Sequence, residues 1–257
     1  MLEYKLVIVD LDGVLWRGRE PIEENIKGLK KLWKITKIVF VTNNSTKSRR
    51  EYAARISKLL EFKISKEDIV TSGLLVSEYL KRKGGSVYPI GEAGLIEELV
   101  LAGLDVRINS EYVNYVVVGL DRNLTFGKLV RAANLLWRGA GFIATNIEPW
   151  LPYNRTTIPG AGSIVSALSY TTGRKPDYVA GKPNPEVVRY VLQKYSVDKE
   201  EVLIIGDSLG TDIAMSVKAG VDSLLVLTGA TRREEIEYSE YKPTYIAENL
   251  NFFLKEI

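Results

Sequence analysis

Histidine and cysteine are both absent from this chain. Without cysteine there is no disulfide, no thiolate nucleophile and no Cys-based zinc site. Without histidine there is no Ser-His-Asp triad, and no imidazole to ligate a metal or carry a proton. Proton transfer then falls mainly to carboxylates, Lys or Tyr. Any metal should be a hard cation held by oxygens. Long hydrophobic runs are also lacking: the apolar runs are strand-length, so none is expected to span a membrane. The start, Met1-Leu2-Glu3-Tyr4-Lys5, has neither a basic nor an apolar leader pattern, and the expected location is the cytoplasm. Charge of one sign does not dominate either. The formal net charge is +3, with Lys and Arg alternating with Asp and Glu, which lends no support to a nucleic-acid partner.

What is present is an ordinary globular composition, 46% hydrophobic and 26% charged over 257 residues. That length suits one large α/β domain or two smaller ones. The most informative stretch is Asp10-Leu11-Asp12-Gly13-Val14. It follows the apolar run Leu6-Val7-Ile8-Val9, which reads as a buried strand. Two carboxylates at the end of such a strand are costly unless a positive charge meets them. A nucleophile and an acid/base partner beside a cation explain them economically.

Strand-like and helical runs alternate, the pattern of a parallel sheet covered by helices. Strands are expected at Val7–Asp10, Ile38–Thr42, Asp68–Thr71, Val202–Asp207 and Ser223–Leu227, with helices at Ile22–Trp33, Lys47–Leu60, Leu74–Lys83, Pro185–Tyr195 and Thr211–Ala219. Gly84-Gly85 follows Lys81-Arg82-Lys83, a helix stop. A second set of elements then begins, with strands at Ser86–Ile90, Asp105–Arg107, Tyr115–Val118 and Phe142–Thr145 and helices at Gly94–Ala102, Phe126–Arg138 and Ser163–Tyr170. Residues 84–176 therefore read as a second domain inserted into a core made of 1–83 and 177–257.

Four polar clusters stand where core strands end: Asp10/Asp12, Thr42-Asn43-Asn44-Ser45, Gly181-Lys182-Pro183 and Gly206-Asp207-Ser208-Leu209-Gly210-Thr211-Asp212. Ligands of open parallel sheets bind outside the carboxyl ends of the strands, so these clusters can converge. Asn44 and Ser45 read better as an N-cap region for the following helix.

The segments DLDGVLWRG (10–18), VTNNSTKSR (41–49), GKPNP (181–185) and GDSLGTDI (206–213) together resemble the haloacid dehalogenase (HAD) superfamily of phosphatases. With IGEAGLIEEL (90–99), VVVGLDRNLTFGKL (116–129), ATNIEPWLP (144–152) and PGAGSI (159–164), the chain is similar to the subgroup of NagD-type phosphatases, p-nitrophenyl phosphatases, phosphoglycolate phosphatase and pyridoxal phosphatase. Asp12 argues against true haloacid dehalogenases, which lack the second Asp. The resemblance implies an α/β fold: a Rossmann-like parallel sheet in the order 5-4-1-2-3, with the insert as a C2-type cap.

The resemblance also implies the chemistry. Asp10 would be the nucleophile, forming an aspartyl-phosphate, and Asp12 the acid/base residue. Mg²⁺ would sit on Asp10, Asp207 and the main-chain carbonyl of Asp12, with Asp212 behind them and Ser208 beside it. Thr42, Asn43 and Lys182 would bind the transferring phosphoryl group. In the cap, Asp121, Arg122, Asn123, Trp150 and Arg155 are candidate substrate contacts. Trp150 reads equally as cap core packing, and Arg122 and Arg155 as solvated side chains. Ser208, Gly210 and Glu148 depart from the subgroup's usual residues. The expected activity is hydrolysis of a small phosphorylated metabolite. The alternatives are phosphoryl transfer to a sugar, or a non-catalytic phosphometabolite sensor. A homodimer joined through the caps would fit such relatives.

Overall fold

The computed structural model describes residues 4–153 and 156–256. The chain opens with β1 (Leu6–Asp10), a short hairpin of β2 (Trp16–Arg17) and β3 (Glu20–Pro21), α1 (Glu23–Leu32), β4 (Lys37–Thr42), α2 (Arg49–Leu60), β5 (Ile69–Thr71) and α3 (Ser72–Lys81). A second series follows: β6 (Ser86–Ile90), α4 (Ala93–Leu101), β7 (Asp105–Val106), β8 (Tyr115–Val118), α5 (Phe126–Trp137), β9 (Gly141–Ala144), β10 (Trp150–Tyr153), β11 (Thr156–Pro159), α6 (Ala161–Thr172) and β12 (Tyr178–Val179). The chain then returns through α7 (Glu186–Tyr195), β13 (Val202–Gly206), α8 (Ala214–Ala219), β14 (Asp222–Val226), α9 (Glu235–Tyr238), β15 (Tyr245–Ala247) and α10 (Leu250–Glu256).

Two compact units result. The first takes Met1–Thr42, Ala53–Val70 and Lys182–Ile257; the second takes Asn43–Tyr52 and Thr71–Gly181. The second unit is thus wider than the expected 84–176. Helix α3 packs on α4, and Tyr79 of α3 stacks on Tyr178 of β12 with ring centroids 3.9 Å apart. These contacts draw the segments on either side of the expected insert into its unit.

The first unit is built on a sheet in the order β15-β14-β13-β1-β4-β5, in which β1 runs parallel to β4 and β13, and β14 parallel to β13 and β15. This is the expected order with one more strand, β15, at the edge. β1 and β13 are buried along their whole length, as strands covered on both faces must be, and so their sequences are continuous apolar runs. Helix α1 shows the complementary pattern. Ile26, Leu29 and Leu32 form its buried stripe, Glu23 and Glu24 lie in its first turn, and Lys30 and Lys31 in its last.

The second unit has a five-stranded parallel sheet, β12-β9-β8-β6-β7, and the antiparallel hairpin β10-β11. Tyr88, Ile90, Val116, Val118 and Phe142 of the sheet pack with Leu135 and Leu136 of α5 and Ile164, Val165 and Leu168 of α6. Thr71 and Thr125 cap α3 and α5 by accepting from the main-chain N–H of Leu74 and Lys128. Among the described residues no helix is long and apolar enough to cross a membrane.

Candidate active site

The parallel strands deliver their carboxyl ends to one edge of the first unit's sheet. Asp10 is the last residue of β1. Its Cα partner on β4 is Val41, so Thr42 lies one residue beyond it. Asp207 directly follows β13, which pairs with β1 on the other side. Asp212 lies in a wide helical turn, Leu209–Ile213, that leads into α8. The expected helix start at Thr211 is therefore this turn, and the regular helix begins at Ala214.

Lys182 ties these acids together. Its Nζ donates to Asp10 Oδ1 at 2.6 Å and to Asp212 Oδ1 at 2.7 Å. Asp10, Asp207 and Asp212 each place a carboxylate oxygen within 4.8 Å of the others, and all three are buried. Three buried carboxylates thus face one ammonium group. Burial raises the Asp10 carboxyl well above its ordinary range; Lys182 opposes this, and Asp212 and Asp207 add to it. Burial likewise pushes Asp207 up to about 7, with the Asp212 charge contributing. For Lys182, burial pulls the ammonium down, but Asp10 and Asp212 together outweigh it and keep the proton on Nζ. The cluster is short of positive charge. Its donors are hard oxygens at metal-sharing distances, so the residues fit a divalent cation.

Asp207 is held tightly. The N–H of Ala230 donates to its Oδ2 at 2.5 Å, and its carbonyl accepts from the N–H of Thr231. Two glycines make room for the carboxylate. A Cβ on Gly13 would come 2.1 Å from Asp207 Oδ2, and one on Gly229 would come 1.8 Å from it. Gly13 also has φ +84°, a conformation that side chains rarely adopt. The loop that carries Gly13 is anchored from behind. Thr228 Oγ1 donates to the Gly13 carbonyl, and Asn25 Nδ2 donates to the Val14 carbonyl and to Thr228 Oγ1. Asp212 receives the N–H of Ser208 on Oδ2, so Ser208 reaches the cluster through its main chain.

Asp12 is not part of the buried cluster. It is exposed, and its Oδ1 accepts from the indole Nε1 of Trp16 at 2.9 Å. Thr42 is buried at the end of β4.

Asn43 begins the second unit's share of the candidate residues. Its Nδ2 donates to Glu148 Oε2 at 3.0 Å, and Asn146 Nδ2 donates to the same oxygen at 2.9 Å. Its carbonyl accepts from Ser72 Oγ, and a Cβ on Gly181 would meet its Oδ1 at 2.3 Å. The longer Glu148, noted as a departure, is therefore an acceptor shared by two amides. Asn44 forms a local turn, accepting from Thr46 N–H and Oγ1. The cap of α2 is Ser48, paired reciprocally with Glu51. Ser45 does not act as a cap: its Oγ is buried with no hydrogen-bond partner.

The other candidate contacts divide. Asp121 is buried and paired with Lys128 at 2.6 Å, and it also accepts from Asn123 N–H, so it braces its own loop. Arg122 is clasped by Glu92 through two nitrogens, so it is an ion-paired side chain, not merely a solvated one. Asn123 is exposed. Trp150 is 54% exposed on a hairpin strand, which overturns the core-packing reading of that residue. Arg155 lies outside the described residues.

Sequence reasoning missed Trp16, Asn25, Thr228, Gly229 and Ala230. Residues 228–231 form a further polar cluster just past the end of β14, and the strand-end rule used for the other four would have found it.

Comparison with known proteins agrees with this architecture. A family model described as haloacid dehalogenase-like hydrolase matches residues 7–105, and one described as HAD-hydrolase-like matches residues 179–252. An acid sugar phosphatase of Staphylococcus aureus (strain USA300) is 35% identical, over 100% of this chain and 99% of its own. The crystal structure of a 4-nitrophenylphosphatase from Thermotoga maritima superposes with a TM-score of 0.91 at 33% identity, covering 98% of this chain and 97% of its own. A glycerol phosphate phosphatase from Mycobacterium tuberculosis, in complex with magnesium, superposes with a TM-score of 0.88 at 33% identity, covering 96% of this chain and 75% of its own. With full-length identity at this level, the chain belongs to the HAD-like hydrolases and is a phosphatase of the NagD and p-nitrophenyl phosphatase type.

Proposed function

We propose that this protein hydrolyses small phosphomonoesters through a covalent intermediate on Asp10, with Mg²⁺ as cofactor. The observation that supports this reading best is the bridge from Lys182 to Asp10 and Asp212, with Asp207 in the same cluster. Asp10 Oδ attacks phosphorus as the bond to the leaving oxygen breaks, and Asp12 gives that oxygen a proton. Asp12 then takes a proton from water as the water attacks the phosphoryl group. The Asp10–phosphorus bond breaks, and inorganic phosphate leaves. Lys182 holds Asp10 in place and faces the charge that develops on the phosphoryl oxygens. The Thr42 hydroxyl and the main chain at Asn43 donate to the same oxygens. Asp10, Asp207 and the main-chain carbonyl of Asp12 would hold Mg²⁺, and Asp212 keeps Lys182 aligned. When bound, the ion offsets the repulsion between carboxylates and phosphate. The relatives act, by their names, on sugar, 4-nitrophenyl and glycerol phosphates, so a small organic phosphate is the expected substrate class.

The test is a panel of phosphomonoesters assayed with and without Mg²⁺, with free phosphate measured against phosphate passed to added sugar acceptors. Free phosphate should dominate, and chelation should abolish turnover. Asp10→Asn should lower kcat by at least about 10³-fold while the protein still binds phosphate. Near-normal turnover in that variant would refute the assignment.

A further inference from the structure

Asp12 is exposed and sits on a loop, yet its proton must meet the leaving oxygen in a defined direction. An exposed carboxyl with no restraint samples several rotamers. Here Trp16 supplies a restraint. This side chain is 1% exposed, and its indole Nε1 donates to Asp12 Oδ1 at 2.9 Å. An indole can donate and cannot accept. Whichever protonation state Asp12 is in, Oδ1 is therefore the accepting oxygen, and the proton of the neutral acid belongs on Oδ2.

Trp16 is itself fixed. Its main chain pairs with Pro21 across the β2-β3 hairpin, and its carbonyl accepts from Gly13 N–H at 2.8 Å. The Arg55 guanidinium lies over the ring, with Cζ 3.6 Å from the centroid, and Arg55 Nη2 donates to the Gly18 carbonyl at 2.9 Å. A cation on the ring face attracts π density and makes the indole N–H a stronger donor. Ordering therefore runs from α2 through Arg55 and Trp16 to the carboxyl of Asp12.

We propose that Trp16, clamped by Arg55, is a positioning residue that orients Asp12 for proton transfer to the leaving group. The proposal rests on the reading of Asp12 as the acid/base residue. In the first half-reaction the phosphorus–oxygen bond of the ester breaks as Asp10 bonds to phosphorus. The leaving oxygen takes the proton from Asp12 Oδ2, and the resulting carboxylate keeps its Oδ1 bond to Trp16.

The test uses leaving groups that differ in their need for that proton. Nitrophenolate departs without one, whereas the alkoxide of glycerol phosphate does not. The quantity read is kcat/KM for glycerol phosphate divided by kcat/KM for p-nitrophenyl phosphate, in Mg²⁺. Asp12→Asn should depress this ratio by about 10²-fold or more. Trp16→Phe should depress it by about tenfold, and should add nothing in the Asp12→Asn background. Arg55→Met, which leaves the indole in place, should depress it by a smaller factor in the same direction. A ratio unchanged in Asp12→Asn would sink the reading of Asp12 itself. A ratio that falls in Asp12→Asn but not in Trp16→Phe would overturn the positioning role alone. If Trp16→Phe does not fold, Arg55→Met decides, and an unchanged ratio there overturns the proposal.

Discussion

Replacing Asp207 by asparagine should make the metal-free protein more stable at neutral pH while removing its activity. Asp207 is buried among acids and is pushed up to about 7 from an ordinary 3.8. A carboxyl raised in this way holds its proton more tightly in the folded state than in the unfolded one. The stability it supports is present in full below about 3.8 and is lost as pH rises to about 7. At about 1.4 kcal/mol per pH unit, the gap corresponds to roughly 4 kcal/mol. The substituted amide keeps an acceptor for the Ala230 N–H, and the weaker bond to a neutral oxygen is already contained in that gap. The expected net gain at pH 8 is therefore about 4 kcal/mol, or roughly 12 °C in Tm for a chain of this size. The assay is urea unfolding of both proteins in chelator between pH 4 and pH 8. The difference between them is read at each pH, so carboxylates common to both cancel. It should be near zero or slightly negative at pH 4 and grow towards pH 8. Added Mg²⁺ should stabilise the parent protein far more than the variant. A difference that stays flat with pH would refute the account of Asp207 as a charge held against its preference.

Gly13→Ala should be severe despite its small size. The new Cβ would fall 2.1 Å from Asp207 Oδ2, in a backbone conformation at φ +84°. Turnover should fall at least about 10²-fold and the Mg²⁺ requirement should rise, as a metal titration of initial rates would show. Glu98→Ala tests the second unit instead. Arg49 Nε donates to Glu98 Oε1 at 2.6 Å with both side chains buried, so removing the acid takes a charge-assisted hydrogen bond from the buried guanidinium and should destabilise by about 1.5–3 kcal/mol in denaturant unfolding.

Much of the core was legible because burial on both faces leaves an unmistakable record. Leu6–Val9 and Val202–Ile205 are unbroken apolar runs, and their strands end within a residue of where those runs do. β15 was not legible. Tyr245–Ala247 is an edge strand with Tyr245 and Ile246 exposed, and three residues carry too little pattern to stand out. The hairpin at Trp150–Tyr153 and Thr156–Pro159 was hidden by Pro152 and Pro159, which read as strand breakers although they are tolerated at an edge. At the site, residue types pointed to Asp10, Lys182, Asp207 and Asp212. That one ammonium joins two of the acids is a meeting of residues 10, 182 and 212, which no local pattern encodes. The grip of Ala230 on Asp207 is a main-chain donor and leaves no mark on side-chain identity. Trp16 did lie inside a recognised motif, but four residues from Asp12 in a loop there is no periodicity to announce a contact.

β1 has β4 on one side and β13 on the other. The first of these neighbours is synthesised soon after β1, and the second begins only at Val202. At ~5–20 residues per second, the ribosome takes roughly 10–40 s to cover that interval. Throughout it, the strand that bears Asp10 presents one bare flank of N–H and C=O groups, a ready template for pairing with a foreign chain. A newborn copy of this protein therefore stays open to such pairing until β13 emerges, and a holdase chaperone would serve it by shielding that flank for the whole interval.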